Sequence, residues 1–205
     1  MSITLWIIII TSIVSIIGFG NQDFMDKLKF NPYKIFYQKE YYRIFTHAFL
    51  HANWLHLFIN MLVLFSFGTM VEYYFIGFWG SKGRLFFLIL YLTSILFSVL
   101  FSLKKHKEDI FYNAVGASGA VSAVVFTSIF FEPWNLVYFF GLIPIPAIIF
   151  GAIYLFYSYK MSREDRASVI AHDVHFWGAV YGFLFPMLLN FKMLYYFLAK
   201  LFFLS

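Results

Sequence analysis

Asn113-Ala-Val-Gly-Ala-Ser-Gly-Ala120 is a run of small residues with one hydroxyl, and it opens an apolar segment that continues to Phe131. A second stretch, His175-Phe-Trp-Gly-Ala-Val-Tyr-Gly182, opens another apolar segment with an imidazole followed by small residues. A serine attacks a carbonyl only when a base takes its proton, so the two stretches form one site if they are helices lying side by side. Small residues permit that approach. On the first, Gly116, Ala120, Ala123 and Thr127 fall near one stripe. On the second, His175, Gly178, Ala179 and Gly182 stand at i, i+3, i+4 and i+7, so the imidazole shares a face with the glycines. Either stripe alone is an ordinary packing surface of a membrane helix. A histidine inside an apolar span is costly, however, and together with Ser118 it marks a functional site.

Working outward, 62% of the 205 residues are hydrophobic and only 12% are charged, which excludes a soluble domain of this length. The expectation is an all-α, polytopic protein of the cell membrane. Residues 1–205 read as one domain, since no linker, low-complexity run or fixed-period repeat divides them. Six transmembrane helices are expected, at 3–20, 54–75, 84–103, 114–131, 141–159 and 172–190, the fifth entered through Pro144 and Pro146. The first is read as a retained span, because neither a basic start nor a small-residue cleavage site accompanies it. Residues 21–53 mix charges with Phe and Tyr and read as an interfacial loop with short amphipathic helices. Residues 160–171 form another polar loop, and 191–205 either extend the last helix or lie at the interface. Without cysteine, disulfides and thiolate metal sites are excluded. The net charge of +5 is carried by loops that flank apolar runs rather than by a basic stripe, so the lipid bilayer is the expected partner and nucleic acid is not.

Near the start of its helix, Ser118 has unpaired backbone N–H groups beside it, ready donors for a tetrahedral oxyanion. Arg43-Ile-Phe-Thr-His-Ala-Phe-Leu-His-Ala-Asn-Trp-Leu-His-Leu-Phe-Ile-Asn60 adds three histidines at the entry to the second helix. His47 and His51 at i, i+4 invite a zinc reading, with His56 as a third ligand, but the glutamate a metalloprotease carries beside its first ligand is missing. His56 and Asn60, also i, i+4, either point their N–H groups at one developing negative charge or serve only to tie loops and helices together. Asp173 lies about 200° around the helix from His175, which favours a dyad over a triad. His172 is the rival base. Glu72 reads as an anchor to a loop rather than an acid.

These residues resemble the rhomboid family of intramembrane serine proteases: Arg43 to His51, His56 with Asn60, Gly68 with Glu72, Gly116-Ala-Ser-Gly119, and His175 with Gly178 and Gly182. The resemblance implies a six-helix core with a water-filled cavity. In it Ser118 is nucleophile and His175 general base and acid, while His56, Asn60 and the backbone at Gly116 and Ser118 receive the oxyanion. Arg43, His47, His51, Glu72, Gly178 and Gly182 would support that site. The implied reaction cuts single-span membrane proteins near their transmembrane segments, without metal or cofactor. A catalytically silent rhomboid-like binder of transmembrane helices is the alternative. Two features depart from the family pattern. Where some relatives carry an aromatic that stacks on the catalytic histidine, this chain has Ser122. Moreover, the usual family orientation leaves eleven of the fifteen Lys and Arg residues outside, against the usual charge bias.

Overall fold

The helix α7 (Ser118–Phe131) is apolar on every side, so it is stable only when surrounded, and every residue after Ser118 is buried. The computed structural model describes residues 2–139, 142–164 and 171–203, and its other long helices stand around this one, apart from the first, which packs on its neighbours. They are α1 (Ile3–Gly20), α5 (Trp54–Trp79), α6 (Gly83–Lys105), α8 (Ala147–Glu164) and α9 (His172–Leu189). Between α1 and α5 lie three short helices, α2 (Gln22–Leu28), α3 (Pro32–Tyr37) and α4 (Arg43–Thr46), and α10 (Met193–Phe202) closes the chain. Helices α5, α6, α8, α9 and α10 all touch α7, with α9 along most of its length. At the end away from Ser118, Phe75, Phe130, Phe131, Phe183, Tyr196 and Phe197 interleave their rings.

Length and apolar character alone let two stretches cross a membrane, Ile3–Gly20 and Trp54–Lys105. The Gly80 turn divides the second into α5 and α6, which pack on each other. α9 and α10 make a third if their 118° bend lies within one span. The tail therefore does not extend the last helix. At the turn, Gly80 adopts φ +57°, and Gly83 has no room for a Cβ against the Phe75 carbonyl.

Several boundaries differ from expectation. Residues 114–117 precede α7 as irregular chain, because Ala114 pairs its backbone with Phe30 through two hydrogen bonds of 2.9 and 3.1 Å. The fifth long helix begins at Ala147, not at 141. The reason is a hairpin that the sequence reading missed: β1 (Leu136–Phe139) pairs antiparallel with β2 (Ile143–Pro146), Tyr138 opposite Pro144 and Leu136 opposite Pro146. Proline inside a helix removes an intrahelical bond and crowds the preceding turn, whereas it is tolerated on the edge of a two-stranded pair. The first N–H groups of α8 are then satisfied by loop carbonyls, Ala147 to Asn135 at 2.8 Å and Ile148 to Pro133 at 2.7 Å. Residues 160–164, expected in a loop, are the last turn of α8, while 165–170 fall outside the described residues.

Candidate active site

α7 and α9 meet through glycine. A Cβ on Gly178 would run into the Gly119 carbonyl, and one on Gly182 into the Ala123 carbonyl. Thr127 locks the pair by donating to the carbonyls of Ala123 (2.9 Å) and Gly182 (2.7 Å). The contact stripe of α7 is therefore Gly119, Ala123 and Thr127, rather than one running from Gly116 through Ala120. With the backbones this close, His175 Nε2 stands 2.7 Å from Ser118 Oγ. Both side chains are only partly buried, so the pair opens to one side of the bundle.

Around the hydroxyl, the first intrahelical bond of α7 runs from the Val121 N–H to the Ala117 carbonyl. The N–H groups of Ser118, Gly119 and Ala120 thus precede the ladder, and no side chain caps them. The His56 ring lies over Gly116, where an added Cβ would meet its Cε1 at 2.9 Å and Ser118 Oγ at 3.8 Å. Gly116 also has φ +130°, which favours glycine. His56 Nδ1 accepts a long bond from the Ala52 N–H, 3.5 Å, leaving Nε2 as the protonated, donating nitrogen. One expected oxyanion donor needs correction, and a second is partly engaged. The Gly116 N–H is already given to the His47 carbonyl, 3.0 Å, so Gly116 supplies room and not a donor. Asn60 gives one amide hydrogen to the His56 carbonyl on its own helix, 2.9 Å, which leaves one for any ligand.

The remaining expected residues hold the frame. Buried Arg43 donates to the carbonyls of Asp26 and Lys29, both 2.8 Å, and pairs with Glu40; Thr46 adds a bond to the Leu28 carbonyl, 2.7 Å. Together they satisfy the free carbonyl end of α2. His47 Nδ1 meets the Arg43 carbonyl at 3.0 Å, and His51 Nδ1 meets Ser15 of α1 at 3.0 Å. Burial holds both imidazoles neutral, their pKa values lowered to about 4 and about 3. Each histidine thus turns to a different partner, and no three metal-ligating side chains group together among the described residues. Glu72 is an anchor, though of a helix end rather than a loop: its carboxylate accepts from the N–H groups of Ile3 (3.0 Å) and Thr4 (3.1 Å) and from the Thr4 hydroxyl (3.0 Å). Asp173 faces away from His175, bonded to the Ser102 hydroxyl and to the Val174 N–H. His172 packs edge-on to His175 and Tyr157.

Three elements were not read from sequence. Segment 21–53 clamps the chain leading to Ser118: Phe30 pairs with Ala114, Asn31 reaches the Ile110 carbonyl and the Asn113 side chain, and His47 takes the Gly116 N–H. Ser102 holds Asp173. Tyr154 of α8 bonds Ser122 at 2.8 Å and lies alongside the His175 ring. A buried hydroxyl in an otherwise apolar helix is the signal that a partner exists, but it does not say which.

Comparison with known proteins adds two findings. The rhomboid-domain family model matches residues 38–195. The chain is also similar to RHOMBOID-like protein 12, mitochondrial, of Arabidopsis thaliana, with 29% identity over 151 residues. That match covers 66% of this chain and 43% of the plant protein, so the chain spans less than half of that relative.

Proposed function

This chain belongs to the rhomboid family, and from that premise we propose that it is an intramembrane serine endopeptidase of a cell membrane, with Ser118 and His175 as its dyad. The observation that carries the reading is the 2.7 Å contact between Ser118 Oγ and His175 Nε2. In the reaction Oγ bonds to the carbonyl carbon of the scissile peptide while Nε2 takes the hydroxyl proton. The carbonyl oxygen, now an oxyanion, is met by the Ser118 N–H, by His56 Nε2–H and by the free Asn60 hydrogen. Each such donor is worth about 3 kcal/mol to the transition state. The C–N bond then breaks as His175 hands its proton to the leaving amine. Water, deprotonated by the same imidazole, attacks the acyl ester and frees Ser118.

The six long helices cross the bilayer in this reading. With 14 residues, α7 is about 21 Å long, short of a hydrocarbon core of about 30 Å. If its Phe131 end reaches one surface, Ser118 lies below the other, under a cavity that water must fill. The substrates are single-span membrane proteins. They enter beside α8, whose outer face carries the exposed Ile149, Ile153 and Phe156 and whose start is set by Pro144 and Pro146. The helical substrate must unwind there, since peptide bonds in an intact helix are hydrogen-bonded and covered.

Purified protein and a single-span substrate in proteoliposomes provide the test, with Ser118→Ala and His175→Ala alongside. Each substitution is expected to lower cleavage at least about a thousandfold. Equal cleavage by wild type and Ser118→Ala ends the protease reading. Tight substrate binding with cleavage by no variant supports the silent binder instead.

A further inference from the structure

On its own helix His175 meets only the edge of His172, ring centroids 6.2 Å apart, and the residues one turn on, Gly178 and Ala179, offer no side chain to hold the face of the ring. Asp173 is turned to Ser102, and Ser118 fixes only the Nε2 end. What flanks the imidazole is Tyr154 of α8, ring centroids 6.5 Å apart and planes 24° from parallel. Tyr154 is itself held on two sides by Phe126 and Phe150, and its hydroxyl is tied to Ser122 Oγ at 2.8 Å. That tie crosses between helices, as the bond from buried Ser102 to Asp173 also does. Ser94, Ser98 and Ser128 each bond back to a carbonyl three residues earlier on their own helix, whereas Ser122 reaches across to α8.

We propose that Tyr154 is a positioning residue for His175: its ring, set by the bond to Ser122, keeps the imidazole aimed at Ser118. The inference rests on the protease reading above. It has a physical consequence, since the brace sits on a different helix from either member of the dyad. Any displacement of α8 draws the ring away, so full assembly of the dyad requires α8 in its packed position.

The test measures kcat and KM on a single-span substrate, together with the rate of labelling by a fluorophosphonate. In labelling, Ser118 Oγ bonds to phosphorus, fluoride leaves and His175 takes the proton, so the rate reports the dyad without substrate entry. Tyr154→Ala is expected to lower kcat and labelling at least about tenfold with KM within about twofold, the size of effect a misaligned base produces. Tyr154→Phe keeps the ring but loses its bond and is expected to give a kcat measurably below wild type and above Tyr154→Ala. Tyr154→Phe removes the bond to Ser122 together with the hydroxyl's contact to Ser158, so adding Ser122→Ala to it is expected to cost no more than Tyr154→Phe alone. Unchanged kcat and labelling in Tyr154→Ala overturn the proposal, as does a change in KM alone. Should Tyr154→Ala not fold, additive losses in the Ser122→Ala and Tyr154→Phe pair, or no loss in either, overturn it. Ser118→Ala separates the two ideas, because cleavage surviving that change refutes the protease reading and not the placement of Tyr154.

Discussion

Substituting Gly178 by alanine probes the contact on which the site depends. The new methyl group would overlap the Gly119 carbonyl, one residue from Ser118. Backbone cannot rotate out of the way as a side-chain tip can, so α7 and α9 must separate by roughly an ångström. Overpacking of this kind costs about 3 kcal/mol, the upper end of its usual range. The separation also moves Nε2 away from Oγ, and a shift of about 1 Å in a reacting pair lowers rate about a hundredfold. Gly151→Ala is the internal control. Its added Cβ would meet Ile129 Cδ1 at 3.0 Å, the far end of a flexible side chain, and a cost below about 1 kcal/mol is expected. Thermal unfolding in detergent and fluorophosphonate labelling read the two quantities separately. If Gly178→Ala melts with wild type and labels at full rate, the helices are not in contact where the structure puts them, and the close-packing argument is wrong.

Further outcomes follow from other parts of the frame. Glu72→Ala leaves three donors at the start of α1 without an acceptor and is expected to cost about 2 kcal/mol, read as a lower melting temperature. His47, neutral in the fold, binds its proton only near pH 4, whereas the unfolded chain binds one near 6.5. The unfolded state therefore holds more protons between those values, and stability present above about pH 6.5 is lost as pH falls toward 4, by about 3 kcal/mol for this group. His47→Gln is expected to flatten that part of the stability profile, and an unchanged slope counts against the burial argument. Cysteines on α5 and α8 at Phe67 and Phe150, which both pack on the Val125–Phe126–Ile129 cluster, test the entry route. Oxidation is expected to block cleavage of a single-span substrate while leaving fluorophosphonate labelling intact, and undiminished cleavage rejects entry beside α8.

The close approach of α7 and α9, with Ser118 beside His175, was legible because its signal is local. Small residues at a spacing of three and four, and a histidine on the same face, need only the 3.6-residue period to be read. The same period misassigned Gly116, because the helix begins two residues later and a backbone bond to His47 reserves its N–H. Pairings such as Phe30 with Ala114 join main-chain groups over eighty residues apart and leave no trace in side-chain type. The β1–β2 hairpin was hidden by an apolar run that reads equally as helix or strand, although Pro144 and Pro146 disfavour the former. Tyr154 was out of reach for another reason: Ser122 announced a missing partner, and only packing could choose among fifteen tyrosines.

In the proposed reading, the burial of α7 also explains why the chemistry would sit at its end. A helix enclosed on all sides has no face to offer a substrate, and water cannot reach its middle. Ser118 is its one residue that is not buried. The first turn is also the only part where backbone donors remain unpaired, so nucleophile and oxyanion donors are forced to the same spot. That economy has a structural cost, since a helix start is held on one side only by the chain before it. Residues 110–117 have no regular structure of their own, and Asn31, Phe30 and His47 fix them from segment 21–53. Arg43 and Thr46 in turn hold the end of α2, and Ser15 of α1 holds His51. The polar residues before α5 therefore bear on the candidate site at one remove: they set where α7 begins, and its beginning sets the direction of the Ser118 hydroxyl.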